Sequence, residues 1–236
     1  TATPSQPVLT LPVETWVNQV TLDDTGDRLV FTIGGGRVVV VDVASGRTIH
    51  SIETHRDGVS DVELLQEPGR IVTATGPDAA LTTIDLASGR WHSRGFGTAE
   101  VFRLIRRLDD GRLLTCSYDQ TVRVWTPGAT WASVRLDGLF RNPFAAAPSP
   151  DGDRIVTQDA HGRLGVWDSH TGQRLATHPK VEPWVYNIAW PAGSGPVLIL
   201  QDGSLMRWSQ DFEKVETIRL PLFEQPKTPE VDADDC

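Results

Sequence analysis

The sequence predicts an all-β fold of repeated four-stranded antiparallel sheets, on three observations. The phrase Gly111 to Pro127, GRLLTCSYDQTVRVWTP, reads as an apolar strand, a polar turn at Tyr118-Asp119-Gln120 and a second strand alternating down to Trp125. That period of 2 belongs to a sheet. The phrase recurs: the alternating strand ends at Val41, Ile84, Trp125, Trp167 and Trp208, spaced 43, 41, 42 and 41 residues apart. Further upstream a strand opens at Val17, Val59, Val101, Pro143 and Val185, a constant step of 42.

Each repeat holds four short strands. In the second they are Val59 to Leu65, Arg70 to Thr75, Leu81 to Asp85 and Arg90 to Arg94. Gly, Asp, Asn, Pro and Ser punctuate the gaps, and no segment sustains a helical period. Four antiparallel strands in about 40 to 45 residues is the repeat of a β-propeller blade. A blade alone exposes both faces of a small sheet, so it becomes stable by packing on its neighbours. The repeats divide the chain into blades at 17–58, 59–100, 101–142, 143–184 and 185–220. Residues 1–16 read as a linker and a strand, Val8 to Leu11, which is the outer strand of a preceding blade. Residues 221–236 carry three prolines and five acids and read as an acidic tail without a core.

Composition narrows the function. The 236 residues are 39% hydrophobic and 22% charged, with a net charge of −9. An acidic balance argues against a nucleic-acid partner, which needs a positive surface. The apolar runs are too short to span a bilayer as a helix, and no leader pattern opens the chain at Thr1. Two cysteines, Cys116 in a strand and Cys236 at the end, make no disulfide framework, so a reducing, cytoplasmic setting is expected.

No catalytic motif emerges. Nucleophile-elbow, H-E-x-x-H and P-loop patterns are absent, and Gly34-Gly35-Gly36 sits between two strands, so it is a hairpin turn. Asp232, Asp234 and Asp235 lack the glycine and closing glutamate of a calcium loop. A non-catalytic protein without metal or cofactor is expected.

Ser117-Tyr118-Asp119 through Trp125, with Val166-Trp167-Asp168, resembles the signature of the WD40-repeat family, and the likeness extends from Val8 to Leu220. It implies rings that most often have seven blades. Five are readable here, as the C-terminal part of such a ring; a closed five-bladed ring with a spare strand is the alternative. The resemblance also implies a hydrogen-bonded tetrad of turn Asp, hydroxyl, strand Trp and His. Only pieces of it are present: Ser117, Asp119 and Trp125 in blade 3, and His178, Asp202 and Trp208 in blade 5, with His161 at the Asp position of blade 4.

The same likeness places the flanks of the inner-strand openings on the top face, where protein partners of such propellers commonly bind. Those flanks, with the turn residue Tyr118, supply Trp16, Asn18, Ser60, Phe102, Phe144, Trp184 and Tyr186. Aromatic anchors among polar neighbours are the composition of an interaction hot spot. The expected function is a scaffold that binds a peptide or protein on that face. The alternative is the sensor portion of a larger signalling protein (an NTPase, kinase or protease), with further blades upstream or from another chain. Arg103 is expected to pair with Asp61 of the neighbouring blade.

Overall fold

Runs such as Arg37-Val-Val-Val-Val-Asp42 are apolar on both faces, as a sheet packed between two others requires. The structure, a computed structural model, describes residues 10–219 apart from 14, 24, 55–57, 76–79, 96–100, 118, 129, 137–142, 144, 160, 179, 183 and 184. At 60, 75 and 101–105 it describes backbone alone. Blade 1 comprises β1 (Val17–Leu22), β2 (Arg28–Ile33), β3 (Arg37–Asp42) and β4 (Thr48–Glu53). Blade 2 comprises β5 (Val59–Leu64), β6 (Arg70–Thr75), β7 (Ala80–Asp85) and β8 (Trp91–Gly95). Blade 3 is β9 (Val101–Arg107), β10 (Leu113–Ser117), β11 (Val122–Thr126) and β12 (Ala132–Arg135). Blade 4 runs through β13 (Ala145–Pro148), β14 (Arg154–Gln158), β15 (Leu164–Asp168) and β16 (Arg174–His178). Blade 5 runs through β17 (Val185–Ala189), β18 (Val197–Leu200), β19 (Leu205–Trp208) and β20 (Val215–Ile218). Each is a four-stranded antiparallel sheet in sequence order, the all-β architecture that the repeat predicts.

The inner strands β1, β5, β9, β13 and β17 pack in succession, which sets the blades side by side. Among the described residues β17 and β1 share no comparable packing. Residues paired across strands share a face, so the register assigns every side chain to the preceding or the following blade. Val30, Val38, Val40 and Ile52 of blade 1 join Val59, Val62, Ile71 and Ile84 of blade 2 in one buried cluster. Blades 3 and 4 meet around Trp167, and blades 4 and 5 around Leu164, Ile188, Leu198 and Trp208.

Polar seams reinforce the packing. The Asn18 amide donates to the Val59 carbonyl at 2.9 Å, tying blade 1 to blade 2. Between blades 2 and 3, Arg106 Nη1 lies 3.4 Å from Asp61, whose side chain is buried. Arg107 Nη1 donates to the Leu65 carbonyl in the same seam. The Arg103 side chain expected at Asp61 lies outside the described residues. Between blades 3 and 4, Arg112 donates to the Ser169 carbonyl (2.9 Å), the Ser169 hydroxyl (2.9 Å) and the Gly152 carbonyl (3.1 Å).

The expected strand at Val8 to Leu11 falls partly outside the described residues. Thr10 and Leu11, which are described, form no strand. Leu11 packs instead on Phe31, Ile33, Val39 and Val41, a hydrophobic contact that needs no ladder. The tail 221–236 lies outside the described residues.

Candidate interaction surface

Turn chemistry fixes the hairpins between the second and third strands, which stand beside the openings of the inner strands. In blade 3 the Asp119 carboxylate accepts the Thr121 N–H at 2.9 Å and its hydroxyl at 2.6 Å, and Asp202 does the same with Ser204 in blade 5. Burial works to raise the Asp119 carboxyl, but the Thr121 hydroxyl and N–H and the Ser117 hydroxyl outweigh it and hold it below its usual value. The Ser204 hydroxyl and N–H lower Asp202 in the same way. Blade 4 has His161 at this position, yet the turn keeps a carboxylate. Asp159, two residues earlier, accepts the N–H groups of His161 and Arg163 at 2.8 and 3.0 Å.

The bracing tryptophans find a hydroxyl that sequence reasoning missed. Trp125 Nε1 donates to Thr115 at 2.8 Å, and Trp167 Nε1 to Thr157 at 2.8 Å. Ser117, the expected hydroxyl, accepts the Asp119 N–H at 3.2 Å and serves the turn. The physical reason is the lean of the indole along its strand. Trp167 pairs with Ile155 and reaches over Gly165 to Thr157, the next residue on that face. A threonine at this register in both blades is the signal that was available. Blade 5 carries Leu198 there, and Trp208 instead faces the His178 ring at 6.2 Å.

His178 stacks on Phe212 at 5.2 Å, and its buried Nε2 has no hydrogen-bond partner. Burial holds its pKa below the ordinary value. The unfolded chain, with histidine near about 6.5, therefore binds the proton more readily than the folded one. Stability is full above that pH and is lost as pH falls from there through the lowered folded value. We expect the melting temperature to drop between pH 7.5 and 5.5, and His178→Phe to shrink that drop. Asp119 and Asp202, held below the usual carboxylate range, titrate below this window. An equal drop in both proteins would remove the role given to His178.

Three of the eight expected partner-binding residues have described side chains. Trp16 is 72% exposed and Tyr186 is 73% exposed, the two most open large hydrophobics among the described residues. The Trp16 carbonyl accepts the Gly34 N–H at 3.2 Å, and its indole lies against the Gly34 turn. A Cβ on Gly34 would stand 3.0 Å from two indole carbons, so the absent side chain makes room for the ring. Asn18 commits its amide to the seam with blade 2. Tyr118, Phe144 and Trp184 lie outside the described residues, as do the side chains of Ser60 and Phe102. Cys116 is a core residue: burial pushes its thiol up to about 12, away from the thiolate form. Among the described residues no three His, Cys, Asp or Glu side chains group to hold a metal ion, and no helix is long and apolar enough to cross a membrane.

Comparison with known proteins agrees with this architecture. The family model described as "WD domain, G-beta repeat" matches residues 105–126. The Arabidopsis thaliana "DENN domain and WD repeat-containing protein SCD1" is 26% identical over 149 residues, which are 63% of this chain and 12% of that protein. Human "WD repeat-containing protein 70" is 23% identical over 170 residues, 70% of this chain and 21% of that protein. Rat "Coronin-7" is 39% identical over 56 residues, 24% of this chain and 6% of that protein. The chain thus spans about a fifth or less of these relatives. In a solved structure described as "Crystal Structure of Mitotic Checkpoint Complex", one chain superposes with a TM-score of 0.74 at 18% identity. The match covers 89% of this chain and 65% of that one. The matched repeat, the WD-repeat relatives and the five four-stranded sheets together give this chain a WD40 repeat in blade 3 and the β-propeller fold throughout, similar to WD-repeat proteins.

Proposed function

We propose that the chain is a non-catalytic scaffold that holds a peptide or partner protein against the end of the propeller where the inner strands begin. The observation that carries this reading is the pair Trp16 and Tyr186. Both flank the opening valine of an inner strand, and both stand more than two thirds exposed. Large aromatic rings on a rigid sheet lose little conformational freedom when covered, which is why they dominate binding energy at interfaces. The acidic net charge favours a protein over a nucleic acid, and the buried free thiol of Cys116 fits a reducing compartment such as the cytoplasm. A second reading, a regulatory propeller within a larger signalling assembly, is favoured by SCD1, whose name joins WD repeats to another domain.

The test is affinity capture from cells that make the protein, comparing wild type with Trp16→Ala, Tyr186→Ala and the double variant. Each hot-spot aromatic is worth about 2 kcal/mol, roughly 30-fold in affinity. The double variant should therefore lose its partners while melting like wild type. Equal recovery by all four proteins would sink the reading.

A further inference from the structure

The seam between blades 2 and 3 widens into a groove of about 610 Å³. Its walls are β8 and the β7–β8 turn of blade 2 and the β11–β12 turn of blade 3, so it lies at the end opposite to the one where the inner strands begin. Its apolar lining includes Leu65, Trp131 and Trp91. Trp131 packs on the cluster that joins the two blades, whereas Trp91 is 47% exposed. The fold does not call for a ring at Trp91. It pairs with Ile84, and the matching positions of blades 1, 3, 4 and 5 hold Thr48, Ser133, Arg174 and Val215. A tryptophan that stands open on a rigid strand, where four sister blades manage without one, is the residue type that anchors interfaces.

The groove is positive in an acidic chain. Arg70, Arg90, Arg94 and His92 line it, against Glu67 and Asp85. Both carboxylates are engaged within the groove. Glu67 accepts from Arg70 Nη1 at 2.7 Å, and Asp85 accepts the Ser88 hydroxyl at 2.7 Å and its N–H at 2.8 Å. Three guanidinium groups against two carboxylates leave one positive charge, where the whole chain carries −9. The seam between blades 1 and 2 has a groove of about 740 Å³ with the opposite sign, Asp23, Asp27 and Asp42 against Arg28. A charged ligand therefore tells the two grooves apart.

We propose that this groove binds an acidic peptide segment of a partner protein, its carboxylates on the arginine side at Arg90 and an apolar side chain against Trp91 and Trp131. The guanidinium fork matches a carboxylate and is weakly hydrated, so it selects an acidic segment over a basic one. Exposed ion pairs alone hold weakly. The covered ring area supplies the affinity and the charges supply the choice of partner. A cavity of this volume takes a few side chains of a segment, the scale of an ordinary ligand pocket. The site is separate from the top-face scaffold reading and uses neither Trp16 nor Tyr186.

A displayed library of short random peptides supplies the probe. Selection on the Trp16→Ala, Tyr186→Ala double variant keeps top-face ligands out, and fluorescence polarisation of the labelled winner then measures its affinity for the other proteins. Selected peptides should carry Asp or Glu beside an aromatic or long aliphatic residue, and wild type should bind them as the double variant does. Trp91→Thr, which installs the residue of blade 1, and Arg90→Glu should each weaken binding about 10-fold or more with melting unchanged. Arg90 is exposed, so Arg90→Glu keeps the test open if Trp91→Thr melts early. Selection that yields no acidic peptide, or wild-type affinity in both Trp91→Thr and Arg90→Glu, would overturn the proposal. So would a gain of about 10-fold on combining Asp232→Asn, Asp234→Asn and Asp235→Asn, which would make the occupant this chain's own acidic segment.

Discussion

Replacing Trp167 by alanine should lower the unfolding free energy by about 3–5 kcal/mol, the range for deleting a large buried aromatic. Trp167 is 2% exposed at the seam between blades 3 and 4, packed with Leu108, Leu114, Val124 and Ile155. Alanine would leave a cavity that two rigid sheets cannot close, and the Thr157 hydroxyl would lose its indole donor. Trp167→Phe separates the two contributions. It keeps most of the ring and removes the N–H, at an expected cost of about 1–2 kcal/mol. The same exchange at Trp208, where Leu198 takes the place of the hydroxyl, should cost less. Denaturant midpoints with unchanged slopes would measure all three. A Trp167→Phe variant as stable as wild type would show that the Thr157 bond adds nothing.

The second large effect is expected at Gly172, in the turn between β15 and β16. Its φ is +74°, which strains any other residue. Its Cα also presses on blade 3: an added Cβ would sit 2.1 Å from the Arg135 carbonyl oxygen. Backbone cannot swing aside as a side chain can, so Gly172→Ala must push β12 away from blade 4. Gly89, in the corresponding turn of blade 2, has a φ of +68°, but a Cβ there would meet only the His50 ring at 3.3 Å. Gly89→Ala should therefore cost about 1–2 kcal/mol for the backbone alone, and Gly172→Ala about 3 kcal/mol or more. Equal losses at the two sites would mean that the carbonyl contact is not a constraint.

The fold was legible because a propeller writes itself five times. Any one copy, such as blade 1 with Gly35 and Val41 at eroded positions, carries little signal, but its constant step of 42 aligns it with the copy around Trp125. Strand edges followed from the same alignment to within a residue or two. The bracing hydroxyl was less legible. Ser117 stands near the turn Asp in sequence, whereas Thr115 is chosen by the tilt of an indole across two strands, a three-dimensional fact. Arg112 was invisible for a related reason: its partners at Gly152 and Ser169 lie 40 and 57 residues away, in another blade. The exposure of Trp16 and Tyr186 could be expected from position.

The seams described above are not equivalent, and that has a consequence for how the disc comes apart. The seams between blades 2 and 3 and between blades 3 and 4 carry guanidinium groups bonded to carbonyls or carboxylates of the neighbouring blade. The seam between blades 4 and 5 is built from apolar side chains, Trp208 among them, with the His178 and Phe212 rings stacked beside them. Salt screens the partly buried Arg106–Asp61 pair little and leaves apolar packing intact, whereas acid charges an imidazole that packs against hydrocarbon. Acid thus acts on the seam between blades 4 and 5 and spares the seams held by arginine. In a molecule whose blades hold only their neighbours, loosening that one seam leaves the packing among blades 1 to 4 in place.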